Sequence, residues 1–171
     1  MTKKIGFSLI ELLIGIVISI SFLVGIAIIS LTTTKSWEKE KNKNVLNSTL
    51  NFISSFLEKN IREATDCEVQ DNGKKLVLRK EPLEDGKEWE RSFYIEGNDL
   101  IYVNEYGEKI HIVKGQLKGI TFNKFEFKFP AEDYQGEEVS ASVSIDIEIE
   151  KGKETSKIKK IVNLRNIEAT Q

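Results

Sequence analysis

From Phe7 to Leu31 the chain runs 25 residues with one charged side chain, Glu11. As a helix this run is about 37 Å long, against a hydrocarbon core of about 30 Å. Lys3 and Lys4 precede it, which favours a cytoplasmic N-terminus, and Lys35 and Trp37 follow it. A tryptophan there suits the outer headgroup level. A secretory signal peptide fits poorly. The apolar stretch is about twice a usual signal core, and no A-x-A-like site follows it, since Ala27 stands alone among isoleucines. A plain single-pass anchor fits the length but leaves Glu11 unexplained. A carboxylate deep in a bilayer costs about 2.5–3.5 kcal/mol. In the first turns of a helix, near the interface and the positive end of the dipole, the cost is smaller. Position alone therefore does not say what Glu11 is for.

Residues 32–65 contain neither Pro nor Gly. Leu46, Leu50, Ile53, Leu57, Ile61 and Ala64 recur at helical spacing and form one stripe, broadened by Val45, Phe52 and Phe56. Lys35 to Asn44 is polar nearly all round. The pattern predicts one helix from about Phe7 to Thr65, with its first half in lipid or a helical assembly and its second half packed on a folded head.

After Cys67 the period changes to two. In residues 139–149, Val139, Ala141, Val143, Ile145, Ile147 and Ile149 share one face, and Ser140, Ser142, Ser144, Asp146 and Glu148 the other. Phe125, Phe127 and Phe129 alternate with Lys124, Glu126 and Lys128. Such alternation predicts an antiparallel sheet with one buried and one wet face. Turn signals at Asp71-Asn72-Gly73, Gly97-Asn98-Asp99, Tyr106-Gly107-Glu108 and Lys151-Gly152-Lys153 divide it into roughly seven or eight strands. The expected class is α+β, with residues 1–6 as a leader, 7–31 a transmembrane helix, 32–65 its amphipathic continuation and 66–171 the β head.

Catalytic constellations are thin, and an enzyme is the least favoured class. His111 is the one histidine, and its alternation with Ile110 and Ile112 points it outward. Cys67 is the one cysteine, which excludes an intramolecular disulfide. Nothing in the sequence brings Cys67 to His111. No metal pattern or Gly-rich phosphate loop occurs, and no cofactor is expected. The acidic stretch 131–138 offers oxygen ligands for calcium but lacks EF-hand spacing, so a solvated loop is the simpler reading. The chain carries a net charge of −2, and residues 66–171, with 17 Lys/Arg and 22 Asp/Glu, carry −5. That balance argues against a phosphate-binding surface, so no direct nucleic-acid contact is expected.

The order of residues 3–13, KKIGFSLIELL, resembles the signal of type IV prepilins and pseudopilins: a short basic leader, Gly6, then Phe7, then Glu11 as the fifth residue from Phe7, then a long apolar helix. The resemblance implies that a prepilin peptidase cuts between Gly6 and Phe7 and methylates the new Phe7 amine. It also implies that Glu11 pairs with that amine on a neighbouring subunit, which turns a lipid penalty into a driving force and register for assembly. The implied partners are the peptidase, other pilins or pseudopilins in the filament, the membrane and an inner-membrane assembly platform. The implied location is the cell membrane with the head outside the cytoplasm, then a filament. Gly15 with Ser19, and Ser21 with Gly25, are small-xxx-small pairs suited to close helix packing. Many major pilins place a proline about two-thirds through this helix; Ile28 stands there instead, so a kink lacks its usual cause. The head, more loosely, is similar to J-type minor pseudopilins and to minor pilins of type IV and competence pili. The expected role is a structural filament subunit. The alternatives are a filament-displayed binding subunit for adhesion or DNA uptake, and a simple membrane-anchored surface protein.

Overall fold

The computed structural model describes residues 8–80, 89–129 and 142–164. Helix α1 runs unbroken from Leu9 to Glu63, passing through Ile28 without interruption. Its ends agree with the expected helix to within two residues, the usual scatter of helix boundaries. The chain forms two compact units, Met1–Lys41 and Asn42–Gln171.

In the second unit, α1 leads into β1 (Asp66–Gln70), a 3₁₀ turn (Asp71–Gly73), β2 (Lys75–Lys80), β3 (Trp89–Glu96), β4 (Asp99–Val103), β5 (Lys109–Lys114), a one-turn helix α2 (Gly115–Lys118), β6 (Thr121–Lys128), β7 (Ser142–Lys151) and β8 (Glu154–Asn163). The fold is α+β, as the change of period from 3.6 to two predicts. Each of the four turn signals sits between two strands. The helix hands over to the sheet directly: the Thr65 N–H donates to the Arg79 carbonyl at 3.0 Å, which ties the helix end to β2.

The strands form two antiparallel sheets rather than the single one expected. One has the order β1-β2-β3-β4-β5 and the other β6-β7-β8. Alternation reports which face of a strand is buried, not which strand lies beside it. The chain leaves β5 through α2, and Gly119 in a left-handed conformation ends that turn before β6 begins the second sheet.

Both sheets contribute to one core with α1. Leu46, Leu50, Ile53, Leu57, Ile61 and Ala64 are all buried, packed with Leu76, Leu78, Phe93, Leu100, Phe127, Val143, Ile145, Ile147 and Ile149. Burying such a side chain is worth about 1.5–3 kcal/mol, so the stripe is what fixes the helix to the sheets. Three apolar residues depart from expectation. Phe52 is 52 % exposed, at the flank of the stripe, where it stacks on half-buried Phe56 with ring centroids 6.1 Å apart. Phe129 lies beyond the last paired residue of β6 and is half exposed. Ile110 pairs with Tyr102 but stands on the edge strand β5 and is exposed too. Val139 and Ala141 lie outside the described residues.

Candidate functional site

The first half of α1 carries the residues that the sequence singles out. Its most apolar 18-residue window has a mean hydropathy of 3.0 and no buried residue, so the helix is long and apolar enough to cross a membrane. Gly6 and Phe7 lie outside the described residues. Helix initiation is visible from Ser8 onward. The N–H groups of Glu11 and Leu12 donate to the Ser8 carbonyl at 3.0 and 3.2 Å, and the Ser8 N–H donates to Oε2 of Glu11 at 2.9 Å. This is the carboxylate half of a capping box, in which the third helical residue reaches back to satisfy an N–H that the helix leaves orphaned. Glu11 therefore has a partner within its own chain.

Glu11, Gly15 and Ser19 follow one another at intervals of four and line a shallow groove along the helix with Leu12, Ile16 and Ile20. A Cβ added at Gly15 would meet nothing within 4 Å, so the groove is open to a neighbouring helix. Ser21 and Gly25 lie on a different face, about 120° round the helix from the Gly15–Ser19 pair at 100° per residue. The four small residues thus make two seams, and only one of them includes the carboxylate. Hydroxyls are satisfied within the helix: Ser19 Oγ donates to the Gly15 carbonyl at 2.8 Å and Ser21 Oγ to the Val17 carbonyl at 2.9 Å. These back-bonds let serine sit in an apolar segment without an unpaired donor. Trp37 is exposed further along the same helix.

Elsewhere the chemistry-bearing residues stay apart. His111 is half exposed on β5, with Nδ1 2.9 Å from Oδ2 of Asp99, whose Oδ1 accepts the Gly115 N–H at 2.9 Å. Cys67 lies on β1, at the opposite edge of the same sheet, four strand spacings or about 19 Å away. The two cannot act together. Burial, reinforced by the negative charge of Asp66, pushes the Cys67 thiol up to about 11. No group of three or more His, Cys, Asp or Glu side chains among the described residues could hold a metal ion. The acidic stretch 131–138 lies outside the described residues.

Sequence patterning missed the polar anchors of the head. Arg91, largely buried, reaches Asn60 at 2.9 Å, Glu63 at 3.0 Å and Glu105 at 3.1 Å, with its guanidinium 4.1 Å above the Trp89 ring. It ties β3 to the end of α1. Periodicity had no means of finding it, because a charged residue on a buried face reads as a break in the pattern.

Comparison with protein-family models, with curated proteins and with solved structures gives no match to this chain.

Proposed function

We propose that this protein is a minor pilin or pseudopilin: a membrane-anchored structural subunit that is cut between Gly6 and Phe7 and assembles through its N-terminal helix into a filament of the type IV pilus or type II secretion kind. The observation that carries the reading is one uninterrupted helix whose apolar, fully uncovered first half continues into a second half sealed in an α+β head. A helix apolar on all sides needs lipid or other helices around it. A filament that draws subunits from a membrane supplies one and then the other.

Two further features agree. The groove beside Glu11 gives a neighbour's helix a place to approach. Residues 44–57 contain no charged side chain, in a chain that is 30 % charged, and Phe52 is exposed within them. Charge depletion around an exposed aromatic is the composition of an interface core.

The deciding experiment is the intact mass of the protein extracted from membranes. A chain beginning at N-methylated Phe7 is expected. A chain retaining Met1, or beginning after Ala27, overturns the proposal. Replacing Gly6 with a bulky residue should leave the precursor uncut, since the peptidase must reach an extended backbone there.

A further inference from the structure

The two sheets of the head meet along a seam that is pinned at two points and open between them. At one end the side chain of Asn98, in the turn between β3 and β4, imitates a paired strand. Its Oδ1 accepts the Phe122 N–H at 3.1 Å and its amide donates to the Ile120 carbonyl. At the other end Gly73 approaches β6 so closely that a Cβ there would lie 2.9 Å from the Phe127 carbonyl oxygen. Between these closures the pairing of β6 with β7 shifts register between Phe122 and Lys124, leaving Asn123 as an extra residue. Such bulges re-aim side chains and are frequent beside binding sites.

At this bulge the seam opens into a groove of about 310 Å³. That volume falls at the lower end of small-molecule sites, about 300–1,000 Å³. Its apolar lining comes from Ile95 on β3 and from Phe122 and Phe125, whose rings meet edge to face with centroids 6.2 Å apart. Its charged lining is Lys74, Lys124 and Glu126. Lys124 is committed, 2.6 Å from Asp146 and 3.6 Å from Glu126. Lys74 is exposed and makes no ion pair among the described residues. The groove thus pairs an aromatic wall with one uncommitted cation.

We propose that this groove binds a small organic anion with a flat apolar body, an aryl carboxylate being the simplest case. The body lies against Ile95, Phe122 and Phe125, and the carboxylate meets Lys74. A neutral analogue loses the lysine, and a cationic one is repelled by it. The site stands independently of filament assembly, because all its residues belong to the head.

The test uses the full chain in lipid nanodiscs, with benzophenone-4-carboxylate as photolabel and its neutral methyl amide as control, read by peptide mass spectrometry. Labelling is expected at Ile95 and within residues 122–126. An exposed ion pair contributes up to about 1 kcal/mol, so the amide should label this site about fivefold less. Lys74→Met should bring carboxylate labelling down to the amide level, Lys74→Arg should preserve it, and Phe122→Ala should abolish it. Lys74 is exposed, so its substitution leaves the fold intact, which circular dichroism verifies. Equal labelling by carboxylate and amide overturns the proposal. So does labelling confined to residues 9–31, or labelling unchanged by Lys74→Met.

Discussion

At Glu11 an observed contact and a proposed one meet on a single side chain, and a single substitution confuses them. Its carboxylate accepts the Ser8 N–H at 2.9 Å, a contact worth having at any helix start, while the proposed assembly asks it to neutralise a neighbour's Phe7 amine. Glu11→Ala removes both the cap and the charge. Glu11→Gln separates them, because glutamine serves in a capping box as well as glutamate does but carries no charge. If charge pairing drives assembly, both variants should insert and be processed normally yet be depleted from sheared filaments. If the cap alone matters, the Gln variant should enter filaments at the level of the unaltered chain. The measurement is mature protein in membranes against mature protein in filaments, side by side. Cys67 makes a second residue-scale case, this time of inertness. A thiol pushed up to about 11 has about a hundredfold less thiolate at neutral pH than one at its ordinary 9.0. Alkylation of the folded protein by iodoacetamide should therefore be about a hundredfold slower than that of the unfolded chain. The difference should close as pH rises towards 11. The sign for stability follows. Between the ordinary and raised values the unfolded chain gives up its proton while the folded one keeps it, so the contribution of this group is full below about 9 and falls as pH rises towards 11.

At the level of elements, the helix and strands were legible in the sequence because burial imposes a period that the residues must follow. Leu46 to Ala64 at helical spacing, and Val143 to Ile149 at alternating positions, are all buried where the pattern put them. Replacing Ile53 or Leu57 with Asp places an unpaired charge at a fully buried position, at a cost on the order of 4 kcal/mol. Against a total stability of about 5–15 kcal/mol, that removes a large share of the margin and should lower the denaturant midpoint of the head followed by circular dichroism. The division into two sheets was not legible, because it rests on contacts that have no period. Gly115 is the sharpest of these. A Cβ there would lie 1.9 Å from the Asn98 carbonyl oxygen and 2.8 Å from that of Ile120, so only a glycine lets the chain turn out of β5 beneath the Asn98 pin. Gly119, four residues on, has a left-handed backbone but nothing within 4 Å of an added Cβ. Gly115→Ala should cost about 3 kcal/mol by overpacking, and Gly119→Ala about 1 kcal/mol by backbone strain alone. Denaturant midpoints of the two variants measure the difference. Equal midpoints would mean that the seam yields at Asn98. The sequence pattern singles out neither position, and no local signal separates the one that touches backbone from the one that does not. The candidate assembly residues fared differently. Glu11 stood out because a charge in an apolar run is rare, whereas its contact with Ser8 is a matter of geometry.

For the molecule as a whole, the distribution of burial divides the chain into two solvents' worth of sequence. Every large apolar side chain from Leu9 to Leu31 is exposed, and the buried core begins at Leu46. Between them, residues 35–43 are polar or charged apart from exposed Trp37, and the compact unit of the head begins at Asn42. A fragment starting near Trp37 therefore keeps the whole buried stripe, both sheets and the Arg91 anchor to Asn60 and Glu63, while losing the segment that water cannot accommodate. Such a fragment should be soluble without detergent, show mixed helix and strand by circular dichroism, and unfold in one cooperative step. The helix that remains is about 27 residues long, and its polar first turns fray without exposing apolar surface. Moving the start to Leu57 removes Leu46, Leu50 and Ile53 from the core. At about 1.5–3 kcal/mol each, their loss is of the same order as the whole stability of about 5–15 kcal/mol, so the shorter fragment should be far less stable and prone to aggregate. If the longer fragment also aggregates, the head depends on the apolar half of the helix for its own stability. The boundary between anchor and domain would then lie elsewhere than in the polar stretch at residues 35–43.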